Sequence, residues 1–139
     1  MAKNNRTLRW GACLFFLIAC GQQQIDGGGV VVIEIAGNWN SQWGEENIGE
    51  THWNTATLIS FDNSSNTAIT QMPVDDEYNP SKFSKSVWTE PVDGSFYYCT
   101  FVYGLASETD ALAASNTTDA NDLEGEGCGG FSWTKLEAH

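Results

Sequence analysis

Positive charge is scarce in this chain. Lys and Arg number 6 against 18 Asp and Glu, a formal net charge of −12. Three of those cations, Lys3, Arg6 and Arg9, fall within residues 1–20, which hold no acid. Residues 21–139 therefore keep three Lys against the 18 acids, a charge of −15. Each phosphate contact needs a Lys or Arg, so this balance excludes nucleic acid as a partner. It equally excludes electrostatic docking on anionic lipid. Histidine is rarer still: His52 and the terminal His139 leave little room for His-based catalysis. Long apolar runs are also missing. Trp10–Ala19 is the longest, at 10 residues, far short of the ~20 that a spanning helix needs. There is no GxSxG, HExxH or phosphate-binding glycine loop, which removes the common hydrolase and nucleotide signatures. No internal repeat is visible.

The basic start, the short apolar run and Leu17-Ile-Ala-Cys20 together resemble a bacterial lipoprotein signal ending in a lipobox. The peptidase needs a small residue before its cut, and the Cys20 thiol is the nucleophile that takes diacylglycerol. Cys13 has no apolar run before it and is a poor rival. A buried N-terminal helix is the alternative reading of this segment. The resemblance implies a signal peptide over residues 1–20, acylation at Cys20 and a membrane anchor through its lipid. Gly21 follows the Cys where inner-membrane retention would call for Asp, so the resemblance implies outer-membrane sorting. Residues 21–29, GQQQIDGGG, read as a flexible tether. A single domain is expected over residues 30–139, a length that suits one core.

Two cysteines then remain, Cys99 and Cys128. Export places them in an oxidising compartment, where two leftover thiols usually pair. The competing metal site lacks CxxC spacing and neighbouring His. We therefore expect a disulfide, no metal and no cofactor.

The domain is rich in Thr, Ser, Asn and Gly, with 14 aromatic residues, a composition that suits antiparallel β structure. Val31 to Trp43 alternates with period two. Val31, Ile33, Ile35, Gly37, Trp39, Ser41 and Trp43 share one parity, while Asn38, Asn40 and Gln42 take the other. This predicts one strand with Trp39 and Trp43 facing inward and a bend at Gly37. Thr55–Phe61 and Thr67–Met72 flank the turn-rich run 62–66, a predicted hairpin. Ser95–Tyr103 carries aromatics on both parities, as in a strand covered on both sides. Asp93-Gly94 before it reads as a hairpin turn, with Val87–Thr89 as the partner strand. Ser107-Glu-Thr-Asp110 reads as a capping box opening one short helix. A polar loop pinned by Cys128 follows, and Phe131–Leu136 makes a closing strand. The expected fold is all-β: a small antiparallel barrel or sandwich of about six to eight strands.

Among the residues that carry chemistry, Trp39, Trp43 and Trp53 are the candidate ligand-binding side chains. Same-face Trp pairs either stack on planar ligands such as sugars or fill a core; core packing is the expectation for Trp39 and Trp43. Gly37-Asn-Trp39 resembles the GxW opening of lipocalin and avidin barrels, which implies a small closed barrel. The acids at Glu45-Glu46, Asp75–Glu77 and Asp119–Glu126 read as solvated loops. In the last, Leu123 and Glu124 break the EF-hand pattern. No pair of carboxylates stands out as a glycosidase couple. His52 reads as a turn or edge residue.

A longer constellation runs through Phe61-Asp-Asn63, Tyr78-Asn-Pro-Ser-Lys-Phe83, Val87-Trp-Thr89, Ser95-Phe-Tyr-Tyr-Cys99 and Gly127-Cys-Gly-Gly-Phe-Ser-Trp-Thr-Lys-Leu136. It resembles a group of small uncharacterised bacterial lipoproteins that pair YNPxKF, WT and YYC with a terminal GCGGFxWxxL. The resemblance implies a domain beginning near residue 30 and the Cys99–Cys128 pairing, and it implies no activity. The expected function is an exported, lipid-anchored envelope protein that binds a ligand or partner without catalysis. A lipocalin-like carrier of a small apolar ligand and an envelope hydrolase are the alternatives.

Overall fold

The computed structural model describes residues 31–139. The signal segment, Cys13, Cys20 and the 21–29 tether lie outside those residues. Eight strands and one helix follow one another: β1 Gly37–Ser41, β2 Gly44–Ile48, β3 His52–Trp53, β4 Ala56–Asp62, β5 Thr67–Gln71, β6 Phe83–Trp88, β7 Ser95–Leu105, α1 Glu108–Ala113 and β8 Thr134–Ala138. Each strand pairs antiparallel with the next, and β8 returns to β1 through Trp39–Ala138 and Asn40–Glu137. The result is a closed up-and-down barrel, in which no strand is left with an unpaired edge.

The single strand expected over Val31–Trp43 is not what forms. Ala36 N–H bonds the Ile33 carbonyl at 3.0 Å, turning the chain before β1 begins. Val31 is exposed. Ile33 and Ile35 instead fold under one end of the barrel and are fully buried there. Asn63 holds this plug: its amide donates to the Val32 carbonyl at 3.0 Å and its oxygen accepts from Glu34 N–H at 3.1 Å. Trp88 Nε1–H donates to the Glu34 carboxylate at 2.6 Å. At the other end of β1, Gln42-Trp43 forms a two-residue hairpin turn that the alternation hides. Ser41 Oγ donates to the Gly44 carbonyl and accepts from Trp43 N–H, both at 3.0 Å.

The GxW triplet has a local cause. Trp39 folds its indole back over Gly37 and donates Nε1–H to the Ile35 carbonyl at 2.9 Å. A Cβ at Gly37 would sit 3.3 Å from that nitrogen, a contact too tight to keep unchanged. Trp39 then packs edge-on against Phe96, ring centroids 4.7 Å apart. Ile48, Leu58, Ala68, Trp88 and Leu136 complete this apolar end, with Phe61 packed against it. Phe61 faces inward only because β4 carries a bulge between Leu58 and Ser60, which reverses its parity.

The expected hairpin around 62–66 is present, as is the turn at Asp93-Gly94, where both residues have positive φ. β7 is covered on both faces. Its outward residues Cys99, Tyr97 and Phe101 join Val87, Trp133 and Leu123 in a second cluster outside the barrel. The Cys99–Cys128 disulfide pins the 119–133 segment there, with Cα atoms 5.6 Å apart. Phe131 lies outside the closing strand and is exposed, because that strand starts later, at Thr134. Ser107 caps α1 as expected, its Oγ accepting from Asp110 N–H at 3.1 Å. Lys85 Nζ donates to the carbonyls of Leu112 and Ala114 at 3.1 and 3.0 Å. That cation at the helix C-terminus holds α1 on the barrel wall.

Candidate functional site

The inward positions change character along the barrel. On β6 they run Ser84, Ser86, Trp88; on β7 Phe96, Tyr98, Thr100; on β5 Ala68, Thr70. Each strand thus gives an apolar side chain to the plugged end and a hydroxyl to the other. Small side chains cannot fill the space that large ones fill opposite. A recess of about 230 Å³ results, lined by Trp53, Asn54, Ala56, Thr70, Met72, Ser84, Ser86, Tyr98 and Thr100. It lies at the end of the barrel where the β3–β4 turn and the β5–β6 connection run. Ser86 and Thr100 hydroxyls bond each other across the wall at 2.8 Å. A hydroxyl offers one donor and two acceptor sites, so both keep capacity for a guest.

Behind the recess wall, bonded to its lining residues Trp53, Asn54 and Tyr98, lies Glu46, 7% exposed and the one buried carboxylate among the described residues. The alternation of β2 places it inward with Ile48. Trp53 Nε1–H donates to its Oε2 at 3.1 Å, Asn54 Nδ2–H to the same oxygen at 3.3 Å, and the Tyr98 hydroxyl to Oε1 at 3.0 Å. All three donors are neutral. The ion pairs among the described residues, Lys135–Glu137 and His139–Glu45, lie elsewhere. Burial, and then the Glu46 charge, push the Tyr98 phenol well above its ordinary pKa, so it stays protonated and donating. Trp53 and Tyr98 stand with ring centroids 5.0 Å apart at 55°, forming an angled aromatic wall.

Asn54 makes this arrangement possible. β3 has only two residues, so the ladder to β2 would end at Trp53. Asn54 adopts φ +51°, which Asn tolerates better than most residues. Its N–H donates to the Asn47 carbonyl at 2.7 Å and its side-chain oxygen accepts from Asn47 N–H at 2.8 Å. Its amide nitrogen is then free to reach Glu46.

The three candidate tryptophans take three different places. Trp39 is a core side chain, as expected. Trp43 is not buried: it is 78% exposed on the β1–β2 turn, because the strand stops at Ser41. Trp53 is buried in the core cluster against which Trp39 packs, and it also lines the recess. Glu46, Thr70, Ser84, Ser86, Tyr98 and Thr100 were not singled out by sequence. Glu46 reads there as half of a solvated acid pair, and only Glu45 is exposed. His52 lies on β3 and contacts Asn47 Oδ1. Asp75, Asp76 and the acids of 119–126 lie in exposed loops, where Asp76 and Asp119 accept from nearby backbone N–H groups.

A second hollow of about 500 Å³ lies outside the barrel, lined in part by Asn40, Gln42, Tyr97, Trp133, Lys135 and Glu137. Some of its polar groups are already engaged. Trp133 Nε1–H donates to the Asp119 carbonyl at 3.2 Å and Lys135 pairs with Glu137 at 2.7 Å. A third hollow of about 440 Å³ is lined by Asn38, Glu45, Glu46, Asn47, Asn54 and His139; the barrel mouth differs from both in being lined by the inward positions of β5, β6 and β7. The architecture is that of a small up-and-down β-barrel with a polar mouth. No protein-family model, curated protein or solved structure matches the chain.

Proposed function

We propose that this is an exported cell-envelope protein, lipid-anchored at Cys20 and sorted to the outer membrane, whose barrel binds a small polar ligand in its mouth without catalysis. One observation carries the binding half: a recess of about 230 Å³ lined by hydroxyls and two aromatics, in a barrel packed solid at its other end. Concave sites with a few convergent polar groups are where small molecules bind. A carrier of apolar cargo needs a hollow apolar interior, and here Trp39, Phe96, Trp88 and Leu136 fill that half. A hydrolase of the two-carboxylate kind needs a facing pair; Glu46 is the single buried carboxylate among the described residues. The basic start, the short apolar run and the Leu-Ile-Ala-Cys20 end support the anchor.

Two experiments test the two halves. Cys20→Ser in a native host should move the protein from the detergent phase to the aqueous phase; unchanged partitioning contradicts the anchor. For the mouth, a screen of small polar compounds should perturb the indole N–H of Trp53 and the amides of Thr70, Ser84, Ser86 and Thr100 in NMR spectra. Ser84→Leu, which fills the recess, should abolish those shifts. Perturbations confined to the outer wall around Tyr97 and Lys135 would reject the mouth.

A further inference from the structure

We infer that the ligand of the mouth is a small organic cation, an ammonium or guanidinium group on a compact body. The inference rests on the mouth being the binding site and names the chemistry it selects. Glu46 is a carboxylate taken out of water and held by three neutral donors. Neutral donors lower the cost of burying a charge but leave the charge itself uncompensated. The described lysines do not supply the balance. Lys85 is committed to the end of α1 and Lys135 to Glu137, while Lys82, on the β5–β6 connection where its carbonyl accepts from Met72 N–H, forms no ion pair with Glu46. No lysine lines the recess.

The aromatic wall points the same way. Trp53 and Tyr98 direct their polar hydrogens at Glu46 and line the recess with the rest of their rings. A hydrogen bond to a carboxylate polarises the donor, here making both rings richer in electrons. Electron-rich ring faces attract cations, and two tilted rings offer them two walls. Thr70, Ser84 and Ser86 add hydroxyls that bond a polar tail of either hydrogen-bonding sense. An anion in the recess would face the charge of Glu46 just behind the Trp53 and Tyr98 wall, with no lysine lining the recess to offset it. The whole chain reinforces the choice, since its −12 charge draws cations toward the barrel from a distance.

Three probes of one shape and three charges test this: choline, its neutral isostere 3,3-dimethylbutan-1-ol, and the anion 3,3-dimethylbutanoate. Each is titrated into the full chain in a maltoside detergent while the Trp53 indole N–H is followed by NMR. Choline should shift that signal saturably and bind about tenfold or more tightly than the alcohol, with the carboxylate weakest. Glu46→Gln should erase the difference between choline and the alcohol. Tyr98→Phe keeps the carboxylate but loses the polarised phenol, so it should lessen the preference without abolishing it, and serves if Glu46→Gln does not fold. Equal binding of alcohol and choline at Trp53 would overturn the cation and leave the mouth standing as a site. Silence from all three probes would also overturn the cation, and the wider screen with Ser84→Leu would then judge the mouth separately.

Discussion

Trp39 and Trp43 differ in nothing the sequence displays: same residue type, same parity, same stretch. Their fates diverge because Trp39 has a strand neighbour on each side and Trp43 sits on a two-residue turn. Trp39→Ala should cost about 3–5 kcal/mol, a large-to-small loss inside a packed core. Trp43→Ala should change stability by less than about 0.5 kcal/mol, as surface substitutions do. Urea unfolding of the two variants checks both. Tyr98 makes a prediction in pH. Its pKa is raised above the ordinary 10.0 in the folded barrel. Above that pH the unfolded chain loses this proton while the folded chain retains it. The folded state then binds more protons, so stability falls as pH rises. Below the ordinary value the group contributes no slope. Unfolding midpoints should therefore drop through the alkaline range more steeply in the wild type than in Tyr98→Phe; parallel curves would show that burial beside Glu46 does not raise the phenol's pKa. Glu46 itself is illegible from sequence. Glu45-Glu46 looks like any solvated pair until β2 is recognised as a strand, and the turn that starts β2 is concealed inside an unbroken alternation.

Elements with strong local signals were legible. The Asp62–Asn66 hairpin, the Asp93-Gly94 turn, the Ser107 cap and the two-sided β7 follow from turn chemistry, capping and alternation, which act over a few residues. β2 and β3 were not, since five residues and two residues carry too little pattern to stand out. The bulge in β4 is a case of tertiary packing overriding period two, because the core has a place for Phe61 that strict alternation denies it. Cys99 and Cys128 pair as expected, across a separation of 29 residues. Reduction should lower stability by about 3–4 kcal/mol in the chain-entropy model. It should raise hydrogen exchange first in residues 119–133, whose outer cluster with Val87 and Cys99 the bond secures. Uniform loss of protection across all eight strands would contradict that local role. Lys85→Met should fray α1 by a few tenths to about 1 kcal/mol, visible as faster exchange at Ala111 and Ala114 with the barrel strands unaffected.

At the scale of the whole molecule, the barrel divides its interior between two tasks. One end is plugged by Ile33 and Ile35 and filled with aromatics; it supplies the apolar burial that a domain of this size needs. The other end is left short of volume by Ser84, Ser86, Thr70 and Thr100, and a buried carboxylate, Glu46, lies behind its Trp53 and Tyr98 wall. Composition foretold a β domain with one core. It could not foretell the division, because that depends on which strands lie side by side and in what register. The central claim is therefore that the polar mouth is reachable and negative while the opposite end is sealed. Single thiols placed at Ser84 and at Ala68, on the full chain, measure this through their reaction rates with small methanethiosulfonate reagents, one cationic and one anionic. The account predicts that Ser84→Cys reacts, and faster with the cationic reagent than with the anionic one, while Ala68→Cys stays unreactive until the barrel unfolds. Equal protection at both positions, or faster modification of Ser84→Cys by the anion, would contradict it.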